Sequence, residues 1–214
     1  MALAETLQDN FDGGFNLTVW SKSDNSADAT KVTTSNGRIR VDHTATSQYN
    51  AYSTAVPYNL TGSYFYTQIY DFGDQTITSH EVILSLYKDG TNAIWITASS
   101  GLLSAFKQVS GVQNQVGASI NLDKSLHQWF RIRESGGTIF FDTSGNAVTW
   151  TNRWSLANPF AITAMYAQIQ SGCWQNESNA SYGIFDNFNI SYRNIGTLPT
   201  TFQAGGMSAG VASN

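Results

Sequence analysis

Short runs in which apolar and polar residues alternate, each cut off by turn residues, constrain this chain more than any other feature. The clearest case is the stretch from His127 to Trp154. From Gln128 to Glu134, Phe130 and Ile132 fall on one face and Trp129, Arg131 and Arg133 on the other. Ser135-Gly136-Gly137 then supplies the positive φ values that a tight hairpin needs. Thr138 to Asp142 returns as a second strand, Thr143-Ser144-Gly145-Asn146 turns again, and a third strand begins. A period of two with one apolar face describes a sheet with one side in a core and the other in water.

The same pattern fills the rest of the chain. Residues 5–11 read as a first strand anchored by Leu7 and Phe11, and Trp20 is placed to cap the core. Asn36-Gly37 and Asp89-Gly90 are hairpin signals. Residues 38–43, 49–56, 63–72, 81–88, 92–98, 102–109, 160–170 and 182–192 read as strands, and 111–122 as an edge strand with a loop. No stretch holds a helical period over a dozen residues. Short strands with turns between them predict an all-β fold, a two-sheet antiparallel jelly-roll sandwich. Matched segments, Asp9-Asn10-Phe11 and Asp186-Asn187-Phe188, predict that the ends of the domain pair. Residues 1–192 form the expected domain. Residues 193–214, uncharged from Ile195 and rich in Gly, Ala, Ser and Thr, form an extended C-terminal tail expected to lie against another chain.

A strand ending Arg-x-Arg-Glu, a Gly-Gly turn, the run Thr138-Ile139-Phe140-Phe141-Asp142-Thr143-Ser144 and then Gly145-x-x-Val148-Thr149-Trp150-Thr151 resembles the lectin-like module of minor tail proteins from phages of actinobacteria. The opening MALAETLQDNFDGG and the closing YGIFDNFNIS resemble its terminal strands. The module is similar in outline to the concanavalin A-like lectin/glucanase (LamG-like) fold. The resemblance spans roughly residues 1–192. It implies a virion protein that acts in assembly and host-surface adhesion. Its implied partners are other virion proteins, further copies of itself in a homo-oligomer, and a host cell-wall glycan. A capsid decoration or head-fibre protein, or a carbohydrate-binding module, are the alternatives. Related folds often hold a structural calcium beside the terminal strands, for which Asp186 with Asp9 or Asp12 has the oxygen chemistry.

Composition narrows the rest. Charged residues make up 12% of the chain, against 41% hydrophobic and 13% aromatic. A net charge of −4 disfavours nucleic acid, whose phosphates need a basic patch. No apolar run approaches the roughly 18 residues of a membrane helix. No signal peptide is read at the N-terminus, so synthesis in a host cytoplasm and residence in a virion are expected. The single cysteine, Cys173, reads as small apolar filler.

Catalytic patterns are sparse. The strand of closely spaced carboxylates that glucanases of this fold carry is missing, and Asp71, Asp74, Glu81, Glu134 and Asp142 stand singly. His43, His80 and His127 read as separate surface residues, and Glu81 and Asp142 as solvated ones that could meet across a sheet. A non-enzyme is therefore expected. The residues read as outward-facing include Tyr64, Tyr66, Gln68, Trp95, Arg131 and Arg133. Were their strands neighbours in one sheet, they would make a face of aromatics and arginines suited to a glycan or a protein partner, provided no loop covers it.

Overall fold

A computed structural model describes residues 1–24 and 31–191, and the expectations for the C-terminal tail lie outside the described residues. The elements are a short 3-10 turn, Ala4–Thr6, and strands β1 (Trp20–Asp24), β2 (Val32–Ser35), β3 (Arg38–His43), β4 (Gln48–Thr54), β5 (Tyr64–Asp71), β6 (His80–Asp89), β7 (Asn92–Ser99), β8 (Leu102–Val109), β9 (Val112–Gln115), β10 (Ile120–Asn121), β11 (Trp129–Ser135), β12 (Thr138–Ser144), β13 (Thr151–Ala157), β14 (Tyr166–Cys173) and β15 (Ser181–Asp186). They build two antiparallel sheets. The first runs β1-β4-β14-β6-β7-β8-β10, with β9 also on β8; the second runs β13-β12-β11-β5-β15-β3-β2. The jelly-roll sandwich expected from the alternation is the fold observed. No helix among the described residues is long and apolar enough to cross a membrane.

Alternation decides what the sandwich buries. Leu84 and Leu86 of β6, Ile94 and Ile96 of β7 and Ile169 of β14 enter the core from the first sheet. Ile39, Phe65, Ile69, Phe130, Ile132 and Phe141 meet them from the second, all fully buried. A buried side chain of this size contributes about 1.5–3 kcal/mol, so a slip of one residue in any of these strands would exchange core for surface. Register is pinned at the turns. Asn36-Gly37 between β2 and β3 and Gly136-Gly137 between β11 and β12 each hold two successive positive φ values, 52° and 69°, then 59° and 82°. That is the geometry whose twist suits two-residue hairpins.

The ends of the domain meet, but not as paired strands. Residues 5–11 contribute no strand: Asp9 and Phe188 exchange two backbone hydrogen bonds, of 3.0 and 2.7 Å, as an isolated bridge. The Asn189 side-chain amide donates to Ala4 O at 3.1 Å and Leu7 O at 2.8 Å, serving carbonyls that a strand ladder would otherwise serve. Phe11, at φ 59°, turns the chain inward, and Trp20 is sealed against Phe188 with ring centroids 4.9 Å apart. The neighbour of β5 and β3 is β15.

Candidate functional site

A cleft of about 770 Å³ opens on the outer face of the first sheet. Its floor follows from strand alternation. Val82, Leu84 and Leu86 of β6 point into the core, so Glu81, Ile83, Ser85 and Tyr87 point out. By the same rule β7 presents Ala93 and Trp95, β8 presents Phe106 and Gln108, and β14 presents Gln168 and Gln170. Register brings these into rows: Ser85, Trp95 and Phe106 are cross-strand partners, as are Tyr87 and Tyr166. Trp95 and Phe106 stack with centroids 5.4 Å apart and planes 17° apart. Tyr87 and Tyr166 stack at 5.2 Å and 14°. Trp174, 54% exposed in the loop after β14, stands at the rim.

Glu81 is the one carboxylate on the floor. Tyr49 of β4 donates its hydroxyl to Glu81 Oε2 although β14 separates the two strands. Gly172 is the β14 partner of both residues, and a Cβ there would lie 2.2 Å from Tyr49 Cδ1. The missing side chain is what lets the tyrosine ring lie across β14. The Thr97 hydroxyl donates to Oε1 at 3.3 Å. Burial pushes the Glu81 carboxyl above its ordinary range, against the opposing effect of the two hydroxyl donors. The other carboxylate in the cleft, Asp89, is eight residues further along β6. At strand rise that is about 26 Å, whereas paired glycosidase carboxylates stand roughly 5–9.5 Å apart.

The face expected from the sequence divides between the two sheets. Tyr64, Tyr66 and Gln68 on β5 and Arg131 and Arg133 on β11 do come together, with Tyr66 opposite Arg131 and Tyr64 opposite Arg133. Trp95 belongs to the other sheet and joins the cleft. The face on the second sheet is also closed. Tyr66, Trp129 and Ala147 form a buried cluster with Tyr64 and Trp150 packed on it, so the loop after β12 covers the aromatics. Arg131 lies over the Trp150 ring at 4.1 Å and pairs with Asp142 at 2.7 Å; Arg133 reaches the same Asp142 oxygen at 2.8 Å. Gln68 is 1% exposed. Trp174 stands at the cleft and not on this face.

Several further expectations need correction. Glu81 and Asp142 occupy different sheets and cannot meet across one. His43 and His80 are not separate surface residues: they stack, buried, with His43 Nε2 2.8 Å from His80 Nδ1. His127 is also buried, and its Nδ1 accepts from the Asp123 N–H at 3.0 Å. Cys173 is buried as expected, its thiol 3.0 Å from Thr46 O. The residues proposed for calcium do not fit it. Asp9 accepts from Phe11 N–H and Trp20 Nε1–H, and Asp186 from Asn187 N–H, with Arg38 Nε 3.1 Å from its other oxygen. Donors thus already point at both Asp9 oxygens and at one of Asp186, and a guanidinium charge stands beside the other, where a cation would be repelled. Asp12, for its part, accepts from the Asn10 amide at 2.5 Å. No group of three or more His, Cys, Asp or Glu among the described residues is arranged to hold a metal ion.

No protein-family model matches the chain, and no curated protein matches its sequence. Solved structures do match its fold. A Bacillus licheniformis β-glucanase superposes with a TM-score of 0.66 at 12% identity, over 85% of this chain and 95% of that one. A glycosyl hydrolase family protein from Mycobacterium fortuitum gives 0.65 at 10% identity, over 85% and 97%. A legume lectin-like domain from Entamoeba histolytica gives 0.59 at 8% identity, over 88% and 97%. The concanavalin A-like part of the expected resemblance is therefore shown as fold. The recurrence of glycoside hydrolases among these neighbours overturns the expectation of a non-enzyme, which leaned on one missing motif.

Proposed function

We propose that the chain is a carbohydrate-binding jelly roll and that the cleft on its first sheet takes a glycan. The carrying observation is the pair of stacked aromatic couples, Trp95 with Phe106 and Tyr87 with Tyr166, beside the planar amides of Gln168 and Gln170 and the Glu81 carboxyl. Sugar rings present apolar C–H faces to aromatics and hydroxyl edges to planar polar groups, and this cleft supplies both on a rigid sheet. The lectin-like and glucanase neighbours share the fold and support the reading. The test is a glycan array followed by calorimetry on Trp95→Ala. Loss of affinity by about 1–3 kcal/mol, the scale of a good anchor residue, with unchanged unfolding supports it. Unchanged affinity for every captured glycan sinks it.

Hydrolysis in the same cleft is the second reading. It is favoured by the half-buried Glu81, whose raised carboxyl suits a proton donor. Release of reducing ends from bound polysaccharide, abolished by Glu81→Gln, is its measure. The setting we propose, adhesion of a phage tail to host cell-wall glycan alongside other virion proteins, is supported by the sequence motifs. Immunogold labelling of particles tests it, and label on the capsid instead would favour the decoration or head-fibre reading.

A further inference from the structure

Resting on that reading of the cleft, we infer that its preferred glycan carries a free amine, and that Glu81 receives the sugar ammonium. The chain gives each of its buried carboxylates a cation or a backbone N–H. Asp142 has Arg131 and Arg133. Asp186 has Arg38 nearby and the Asn187 N–H. Glu134 accepts from the backbone N–H groups of Gly62 and Gly137. Glu81 has two hydroxyl donors, Tyr49 and Thr97, and among the described residues neither a cation nor a backbone N–H reaches it.

The surroundings do not make up the difference. Among the described residues that line the cleft there is no Lys, Arg or His, and Asp89 adds a second negative group toward one end. A carboxylate taken from water without a counter-charge is costly, and that cost is relieved by the ligand that brings the charge. A neutral sugar would cover Glu81 and leave it unpaired. A uronic acid or sulfated sugar would be repelled. An ammonium group satisfies the carboxylate, and the Tyr49 and Thr97 oxygens can accept from its remaining N–H bonds.

The test titrates the full chain with three hexamers of one β-1,4 backbone, made of glucosamine, N-acetylglucosamine and glucose. At pH 6 and low salt the glucosamine hexamer is expected to bind about tenfold tighter than the other two, the scale of one charge-assisted hydrogen bond. Glu81→Gln should bring it down to the level of the neutral pair. Should that variant fold poorly, the wild type answers alone. Burial holds the Glu81 carboxyl above its ordinary range, so lowering the pH to 4 favours its neutral form while the amine stays charged, and the margin should shrink. The titratable groups that act on Glu81, the Tyr49 hydroxyl and the Cys173 thiol, are both pushed up by burial and stay neutral throughout. Equal or tighter binding of the neutral hexamers, or a margin unchanged at pH 4, overturns the inference and leaves the glycan cleft standing. Binding of none of the three also overturns it, while the glycan array and Trp95→Ala decide the cleft separately.

Discussion

Tyr49 and Glu81 sit on strands that are not neighbours, and the tyrosine hydroxyl reaches the carboxylate by passing over Gly172. Gly172→Ala should therefore act on both. The new Cβ meets the ring at 2.2 Å and Gln48 O at 2.5 Å, so backbone or ring must move. Overpacking of this kind destabilises by about 1–3 kcal/mol. Urea denaturation measures it, and a variant as stable as the wild type would show that the ring does not depend on the glycine.

Glu81→Gln should stabilise the protein at neutral pH. A carboxyl raised in the folded state binds more protons folded than unfolded between its two pKa values. Stability is thus lost as pH rises through that window. The amide keeps an acceptor for Tyr49 and removes the charge. The gain should be present at pH 7 and vanish near pH 4, as read from melting temperatures across a pH series. A variant that melts below the wild type at pH 7 contradicts the account.

Asp142→Ala should cost on the order of 3 kcal/mol, because it leaves Arg131 and Arg133 without their shared partner inside the covered face. Glycan affinity should not change, since the cleft lies on the other sheet. Chemical denaturation and calorimetry on one preparation check both halves, and a coupled loss of affinity would contradict the separation of the two faces.

His80 supplies a pH dependence of the opposite sign to that of Glu81. Burial lowers its pKa to about 4 from 6.5. A depressed folded pKa gives stability that is full above the unfolded value and is lost as pH falls from 6.5 toward 4. The loss is up to about 3 kcal/mol. Asp186, raised to about 6, works the other way, its contribution growing as pH falls through 6 toward 3.8. Comparing His80→Gln with the wild type at each pH cancels Asp186, and the difference should narrow on acidification. Parallel stability curves would rule out His80 as the source.

Much of this fold was legible because its signals are local. The Asn36-Gly37 and Gly136-Gly137 turns and the inward Ile94 and Ile96 need only their own neighbours in sequence to be read. The period of two also placed Trp95 outward correctly. It could not say outward from which sheet, because alternation distinguishes two faces and a sandwich has four. The site was hidden for a related reason. Tyr49 and Glu81 meet only because β14, from late in the chain, inserts between β4 and β6. His43 and His80, 37 positions apart, meet where the end of β3 in one sheet comes against the start of β6 in the other. Residues 5–11 misled because Leu7 and Phe11 have the spacing of a strand, while the Asn189 side chain takes the Leu7 carbonyl.

The two stacked imidazoles carry a proton deficit. His43 Nδ1 is 2.7 Å from Thr44 O and His80 Nε2 is 2.9 Å from Phe72 O, and the remaining two nitrogens face each other at 2.8 Å. Three contacts call for three hydrogens, and two neutral rings bring two. Burial disfavours importing the third as charge. The pair is therefore held in competition between tautomers, each leaving one contact unmade. Nitrogen-15 chemical shifts of the two rings would display that exchange as averaged values between the protonated and bare positions.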